Sequence, residues 1–246
     1  MAPTPSSVTI DLSQYRGAIF DLDGVVTDTA SLHREAWKKA FDQFLEQHHL
    51  ATFSTGDYLQ FVDGRPREDG VAAFLDSRKI KLPGGLPDDP PGATSRWAIA
   101  NLKSAYFDAL LTLRGAGTFA SSVALILRMR EHSVKTAVVT ASLNCSRILA
   151  QGNLRDLFDV TVDGRDAAVM GLAGKPDPAT FLEAARRLRV EPVHAVVFED
   201  AVAGVLAARS GEFGLVIGVD RYRNPSALRE AGSDAVVNDL AEVIIY

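Results

Sequence analysis

The chain has 246 residues, of which 47% are apolar, a formal net charge of −5 and a single cysteine, Cys145. That length allows one large domain or two modest ones with a real core, and the interspersed charges, without a Lys/Arg run, argue against a nucleic-acid or membrane-surface footprint. One cysteine excludes an internal disulfide, and with no basic-then-apolar start in MAPTPSSVTIDL and no apolar run near the ~18 residues of a membrane span, a cytoplasmic protein is expected.

In chain order, the first strand is Ala18–Phe20, a short apolar run stopped by Asp21 and by Gly24 after it. In extended chain, residues i and i+2 point the same way, so Asp21 and Asp23 face one spot with Leu22 turned aside. Ser31–Gln47, Gly70–Leu75 and Ala98–Leu113 carry apolar residues at helical spacing, and Leu82–Thr94 is too rich in Pro and Gly to be anything but an exposed loop. Further apolar runs follow at Thr136–Thr140, Val160–Val162, Ala195–Phe198, Leu215–Val219 and Ala235–Val237, with helices predicted at Ser142–Gln151, Asp177–Leu188 and Ala201–Ser210. Strands rich in Val, Ile and Ala that alternate with helices predict an α/β fold, a doubly wound parallel sheet of Rossmann-like type. The stretch between the first and second strands is far longer than a crossover needs, so a small helical domain is inserted there. The expected boundaries are 1–30 and 116–246 for the α/β core and 31–115 for the helical insert.

Ligands of open α/β sheets bind beyond the carboxyl ends of the strands. There the first strand presents Asp21 and Asp23, the second Thr140 and Ser142, and the AVVF strand Glu199 and Asp200, while the GLAGKPDP loop brings Lys175. Such an oxygen-rich set suits Mg²⁺, a hard cation that shares its positions among carboxylates, water and phosphate oxygens. It is no EF-hand, because a glycine follows directly after the second aspartate, and GLAGKP lacks the spacing of a P-loop. Each piece alone also has a simpler reading: the aspartates as turn and cap residues, Glu199 and Asp200 as a helix opening, Thr140 and Ser142 as a cap, Lys175 as a surface lysine. What those readings leave unexplained is the joint placement at successive strand ends. The set can support phosphoryl transfer, with Asp21 as nucleophile, Asp23 as general acid and base, Thr140 as a donor to the moving phosphoryl group and Lys175 as its bridge to the nucleophile.

Taken in order, FDLDGVVTDT, VVTAS, the Lys175 of GKPDP and VFEDAVAG resemble the four motifs of the haloacid dehalogenase superfamily, specifically its β-phosphoglucomutase group. TASLHREAWKKAF and the DGRPRED of the insert are similar to that group as well, so the resemblance covers nearly the whole chain. It implies Mg²⁺ on the carboxylates of Asp21, Glu199 and Asp200 and on the backbone carbonyl of Asp23. It implies an insert that acts as a cap, with Arg67 holding the phosphate that is not in transfer, Gly64 and Arg65 in the same substrate loop, and Lys103, Ser142 and Asn144 meeting substrate. Trp37 and His33, one helical turn apart, fall on positions of the mutases, His33 coupling the cap to Asp23; without the resemblance both read as packing residues.

Two activities follow from the resemblance. One is a mutase that interconverts β-glucose 1-phosphate and glucose 6-phosphate through a glucose 1,6-bisphosphate. The other is a Mg²⁺-dependent phosphatase of a small sugar phosphate. A module that binds phosphorylated metabolites without turning them over is disfavoured, because it has no use for a nucleophile beside a general acid. Asp63 stands where the lactic-acid-bacterial type has a lysine, and Ser104 where it has an asparagine contacting phosphate. Thr118-Phe119-Ala120 replaces a Tyr-Pro-Gly turn, and the Pro-rich loop is an extension. The expected partner is a small sugar phosphate, with neither nucleic acid nor membrane, and the oligomeric state is left open, with a monomer expected.

Overall fold

The computed structural model describes residues 7–246. Eight strands form: β1 (Val8–Ile10), β2 (Gly17–Asp21), β3 (Lys135–Val139), β4 (Val160–Val162), β5 (Ala195–Glu199), β6 (Leu215–Val219), β7 (Ala235–Val237) and β8 (Val243–Ile245). Six of them make one sheet in the order β4-β3-β2-β5-β6-β7, and every pairing in it is parallel. The chain moves outward from β2 through β3 to β4, then returns to the other side of β2 for β5, β6 and β7. The carboxyl end of β2 is therefore the topological switch point, the place where such sheets open a crevice. The expected doubly wound α/β core is present. Missed from the sequence are β1 and β8, each three residues long, which pair parallel with each other in a separate two-stranded sheet.

The chain divides into two compact units, one of residues up to Asp28 together with Gly117–Tyr246, the other Thr29–Ala116. In the inserted unit α1 (Ala30–Gln47) and α4 (Arg96–Arg114) pack together, and a short α2 (Thr55–Asp57) runs through a π turn, Tyr58–Val62, to the loop before α3 (Arg67–Ser77). Phe41, Phe53 and Phe74 lie against one another with ring centroids 4.4 to 4.9 Å apart, and all three are buried. Burying each such ring contributes about 1.5–3 kcal/mol, and the rings pin α1 to α3. Helix α3 begins at Arg67, three residues before the predicted Gly70, with Glu68 and Asp69 in its first turn where the helix dipole favours acids.

In the sheet unit the helices are α5 (Ala120–Glu131), α6 (Cys145–Gln151), α7 (Gly164–Met170), α8 (Ala179–Leu188), α9 (Val202–Ser210) and α10 (Pro225–Glu230). Ile19, Val139 and Val197 share a core with Phe181, Ala184 and Leu188 of α8 and Val205 and Ala208 of α9. Strand side chains alternate, so Phe20 and Phe198 face the opposite side, where their rings stack at 4.6 Å. All five residues of β2 are buried, Asp21 included, as expected for a central parallel strand. Among the described residues no helix is long and apolar enough to cross a membrane.

Candidate active site

Asp21 is the last residue of β2, opposite Val139 of β3, and it lies one step beyond the Phe20–Phe198 pair, level with Glu199. A tight turn follows. The amides of Val26 and Thr27 and the Thr27 hydroxyl all donate to the Leu22 carbonyl, at 3.0, 2.8 and 3.0 Å. Gly24 sits at φ +97°, and a Cβ there would collide with the Asp200 carboxylate. Only glycine therefore allows the turn after Asp23 to pass against the Asp200 carboxylate.

Asp23 Oδ2 accepts a 2.8 Å hydrogen bond from Thr140 Oγ1, directly beyond β3. The same Thr140 oxygen accepts from the Ser142 amide at 3.0 Å, and Ser142 Oγ accepts from the Asn144 amide at 3.1 Å. These hydroxyls hold a turn, so α6 starts at Cys145 and not at Ser142 as predicted: side chains that bond the next-but-one amide favour a turn over the first helical residue. Cys145 is buried, and burial together with nearby Asp163 and Asp23 pushes its thiol up, so it offers no thiolate nucleophile.

Lys175 is buried, follows Gly174 and precedes a cis proline. Its ammonium donates to Asp21 Oδ1 and, at 2.7 Å, to Glu199 Oε2. Burial works against its charge, but Asp21 and Glu199 outweigh burial and raise its pKa, so Lys175 is a cation. Burial likewise pushes the Asp21 carboxyl well above its ordinary value, with Lys175 opposing and Glu199 and Asp23 adding to the rise. Glu199 Oε1 accepts from the Ala201 amide at 3.0 Å. A Cβ at Gly204 of α9 would strike the Glu199 carboxylate, so two glycines, Gly24 and Gly204, make room for two acids.

Asp21, Glu199 and Asp200 are all buried and offer oxygens within 4.8 Å of one another. An all-oxygen buried set, to which Lys175 supplies one positive charge, fits a hard divalent cation such as Mg²⁺. Six of the predicted residues, Asp21, Asp23, Thr140, Lys175, Glu199 and Asp200, thus meet at the β2 tip, and Ser142 and Asn144 adjoin them through the turn.

The remaining predicted residues lie in the inserted unit, in two groups. His33 stacks on Phe107 at 3.9 Å, and its Nδ1 is 2.7 Å from Lys103 Nζ, whose donor protons leave that nitrogen as acceptor. Lys103 is buried and lies 5.1 Å over the Trp37 ring and 5.0 Å over Phe107. One step along α4, Ser104 Oγ accepts from Arg67 Nη1 at 2.8 Å, and the Arg67 guanidinium lies 5.2 Å over Trp97. Gly64, at φ +72°, and Arg65 lie in the loop between the π turn and α3. The loop 82–94 is irregular and mostly exposed as expected, and it is fastened to α4: Ser95 donates to Asp89, and Asn101 donates to the carbonyls of Pro87 and Asp89 at 3.1 and 2.7 Å. Sequence reasoning missed Trp97, Phe107 and Gly204. Only Gly204, inside VFEDAVAG, carried a visible signal; Trp97, next to a predicted helix start, and Phe107, inside that helix, carried none.

The family model of haloacid dehalogenase-like hydrolases matches residues 15–211. A β-phosphoglucomutase of Mycobacterium bovis is 41% identical over 93% of this chain and 91% of its own length. A validoxylamine A 7'-phosphate phosphatase of Streptomyces hygroscopicus is 31% identical over 93% of this chain and 96% of its own. Among solved structures, a β-phosphoglucomutase of Clostridium difficile shares the fold with a TM-score of 0.72 at 24% identity, covering 93% of this chain and 92% of that one.

Proposed function

Because the chain belongs to the haloacid dehalogenase-like hydrolase family, we propose that it is a phosphoryl-transfer enzyme of sugar phosphates, and specifically a mutase that interconverts β-glucose 1-phosphate and glucose 6-phosphate. The observation that carries the chemistry is the pairing at the β2 tip: Asp21 held by Lys175, and Asp23 held on Thr140 Oγ1 at 2.8 Å. The choice of substrate is supported by the 41% identity to a β-phosphoglucomutase, which extends through the insert that carries Arg67.

In the forward direction Asp21 carries the phosphoryl group as an acyl phosphate. Asp23 takes the proton of the sugar 6-hydroxyl, whose oxygen attacks phosphorus while the bond to Asp21 breaks, giving the 1,6-bisphosphate. After the bisphosphate has turned over in the site, Asp21 attacks the 1-phosphate and Asp23 returns its proton to the leaving oxygen. Lys175 opposes the effect of burial on Asp21 and bridges the nucleophile to the phosphoryl group, and Thr140 turns its hydroxyl proton from Asp23 to the phosphoryl oxygens once Asp23 is protonated. Mg²⁺, when bound by Asp21, Glu199, Asp200 and the Asp23 carbonyl, neutralises charge on the transferring group. Arg67, steadied by Ser104 and Trp97, clamps the resting phosphate. Residues 29–116 act as the cap that keeps water from the acyl phosphate, with the His33–Lys103 pair coupling it to Asp23.

The test follows glucose 6-phosphate and free phosphate in one sample containing Mg²⁺, β-glucose 1-phosphate and a trace of bisphosphate. Glucose 6-phosphate forming much faster than phosphate is expected. Predominant phosphate release would favour the second reading, a sugar-phosphate phosphatase, which the 31% identical phosphatase and the departures at Asp63 and Ser104 support.

A further inference from the structure

We infer that Arg221, in the loop after β6, is a positioning residue that fixes the direction in which the Asp23 turn presents its carboxylate. The inference rests on Asp23 being the acid and base of the proposed reaction, and it starts from the main chain of that turn. Its carbonyls at Gly24, Val25 and Val26 are each held from elsewhere: by Arg221 Nε at 2.6 Å, by Ser122 Oγ at 2.6 Å and by the Phe119 amide at 3.0 Å. Arg221 is the charged donor of the three, and a charge-assisted hydrogen bond is about twice as strong as a neutral one.

The guanidinium is itself over-determined. Its carbon lies 3.8 Å from the centroid of the Phe119 ring, Nη1 donates to the Asn238 carbonyl at 3.1 Å and stands 3.7 Å from Asp239 Oδ2. The loop that delivers it is tied down as well, since Asp220 Oδ1 accepts from the amides of Tyr222 and Asn224 at 3.1 and 3.0 Å. Arg221 Nη2 is buried with no partner among the described residues. Leaving a buried donor unsatisfied costs stability, so stability alone does not account for this placement.

What the arginine holds is the one residue of the turn that cannot relax cheaply. Gly24 follows Asp23, donates its amide to the Thr27 carbonyl at 2.7 Å, and has its Cα against the Asp200 carboxylate. Rotating the peptide after Gly24 would break the Arg221 bond, rotating the one before it would break the Gly24 amide bond to Thr27, and a shift of Gly24 itself would carry the adjoining Asp23 with it. The Arg221 bond thus acts on a general acid and base without touching it, and small errors in such groups are expensive: a misplacement near 1 Å costs about a hundredfold in rate.

The experiment is a double-mutant cycle of Arg221→Ala and Asp23→Ala with Mg²⁺ present. Steady-state kinetics are read on β-glucose 1-phosphate and, independently, on p-nitrophenyl phosphate, where hydrolysis of the acyl phosphate still needs Asp23 as base. Arg221→Ala should lower kcat by about tenfold to a hundredfold with KM changed less than about threefold, and should cost nothing further in the Asp23→Ala background. Arg221→Lys, which can reach one carbonyl but cannot span the fork, should fall between wild type and Arg221→Ala. If Arg221→Ala does not fold, Arg221→Lys and Phe119→Leu carry the same cycle. Full kcat in Arg221→Ala with only a lower Tm, or a loss that adds to that of Asp23→Ala, overturns the inference while leaving the reaction standing. Full activity in Asp23→Ala overturns the acid and base reading and this inference with it. Turnover of p-nitrophenyl phosphate alone removes only the choice of sugar.

Discussion

At the scale of single residues, two glycines matter as much as the carboxylates they face. Gly204 lies inside α9, where replacing glycine by alanine ordinarily stabilises a helix by about 1 kcal/mol. Here the added methyl would strike the Glu199 carboxylate, so the sign of the functional effect is opposite to that of helix propensity. Gly204→Ala should raise the Mg²⁺ concentration for half-maximal activity by roughly tenfold or more, as losses around metal ligands do. A Mg²⁺ titration with unchanged half-saturation would show that Glu199 has room to move. Asp23 gives the second residue-scale prediction: Asp23→Asn keeps the hydrogen bond from Thr140 but cannot take a proton, and turnover should fall by about 10²–10⁴-fold. Substantial turnover of β-glucose 1-phosphate by that variant would refute its role. Both aspartates were legible as residues from their place at a strand tip. That Thr140 spends its hydroxyl on Asp23 and on the Ser142 amide was not, because a contact across 117 positions of chain leaves no mark in local spacing.

At the scale of elements, α8 was the most legible helix, and it is also the one whose charges can be tested. Its buried face, Phe181, Ala184, Ala185 and Leu188, follows the helical period, while Glu183 is held by Arg186 at 2.6 Å and Arg187 at 2.7 Å. Arg186 above all, then Arg187, lowers the Glu183 pKa to about 2 against the partial resistance of burial. A carboxyl whose folded pKa is depressed contributes stability above its unfolded value, and that contribution is lost as pH falls through the folded one. Glu183→Gln should therefore lower Tm at pH 7, and the difference from wild type should shrink between about pH 4.5 and pH 2. A difference independent of pH would mean that packing and not charge is at stake. The elements missed were short or unmarked. The strands β1 and β8 have three residues each and exist only because they find one another across the chain, and α7 has seven residues and buries none of them, so it lacks the apolar period by which α1 and α4 were recognised.

At the scale of the molecule, three buried acids gathered at one switch point make the free protein store repulsion that a cation relieves. A ligand that binds only the folded state stabilises it by about 2.7 kcal/mol at a hundredfold excess over Kd, which for a chain of this size is a Tm shift on the order of 5 °C. Mg²⁺ should produce that shift, chelation should reverse it, and Asp200→Asn should flatten it; an unchanged melt with added Mg²⁺ would argue against a metal at these three carboxylates. The doubly wound sheet, the inserted helical segment and the motif residues at the ends of β2, β3 and β5 were all legible in the chain before it folds. Each of these is written in local periodicity or in a strand-end position that the backbone must honour. How those residues are held emerges on folding alone: Arg221 on a carbonyl 197 residues away, Ser104 on Arg67, Lys103 on His33, and glycines shaped by the acids beside them. The physical reason is that hydrogen bonds and close contacts are settled by distance in space, and the folded chain brings together atoms that sequence spacing keeps apart.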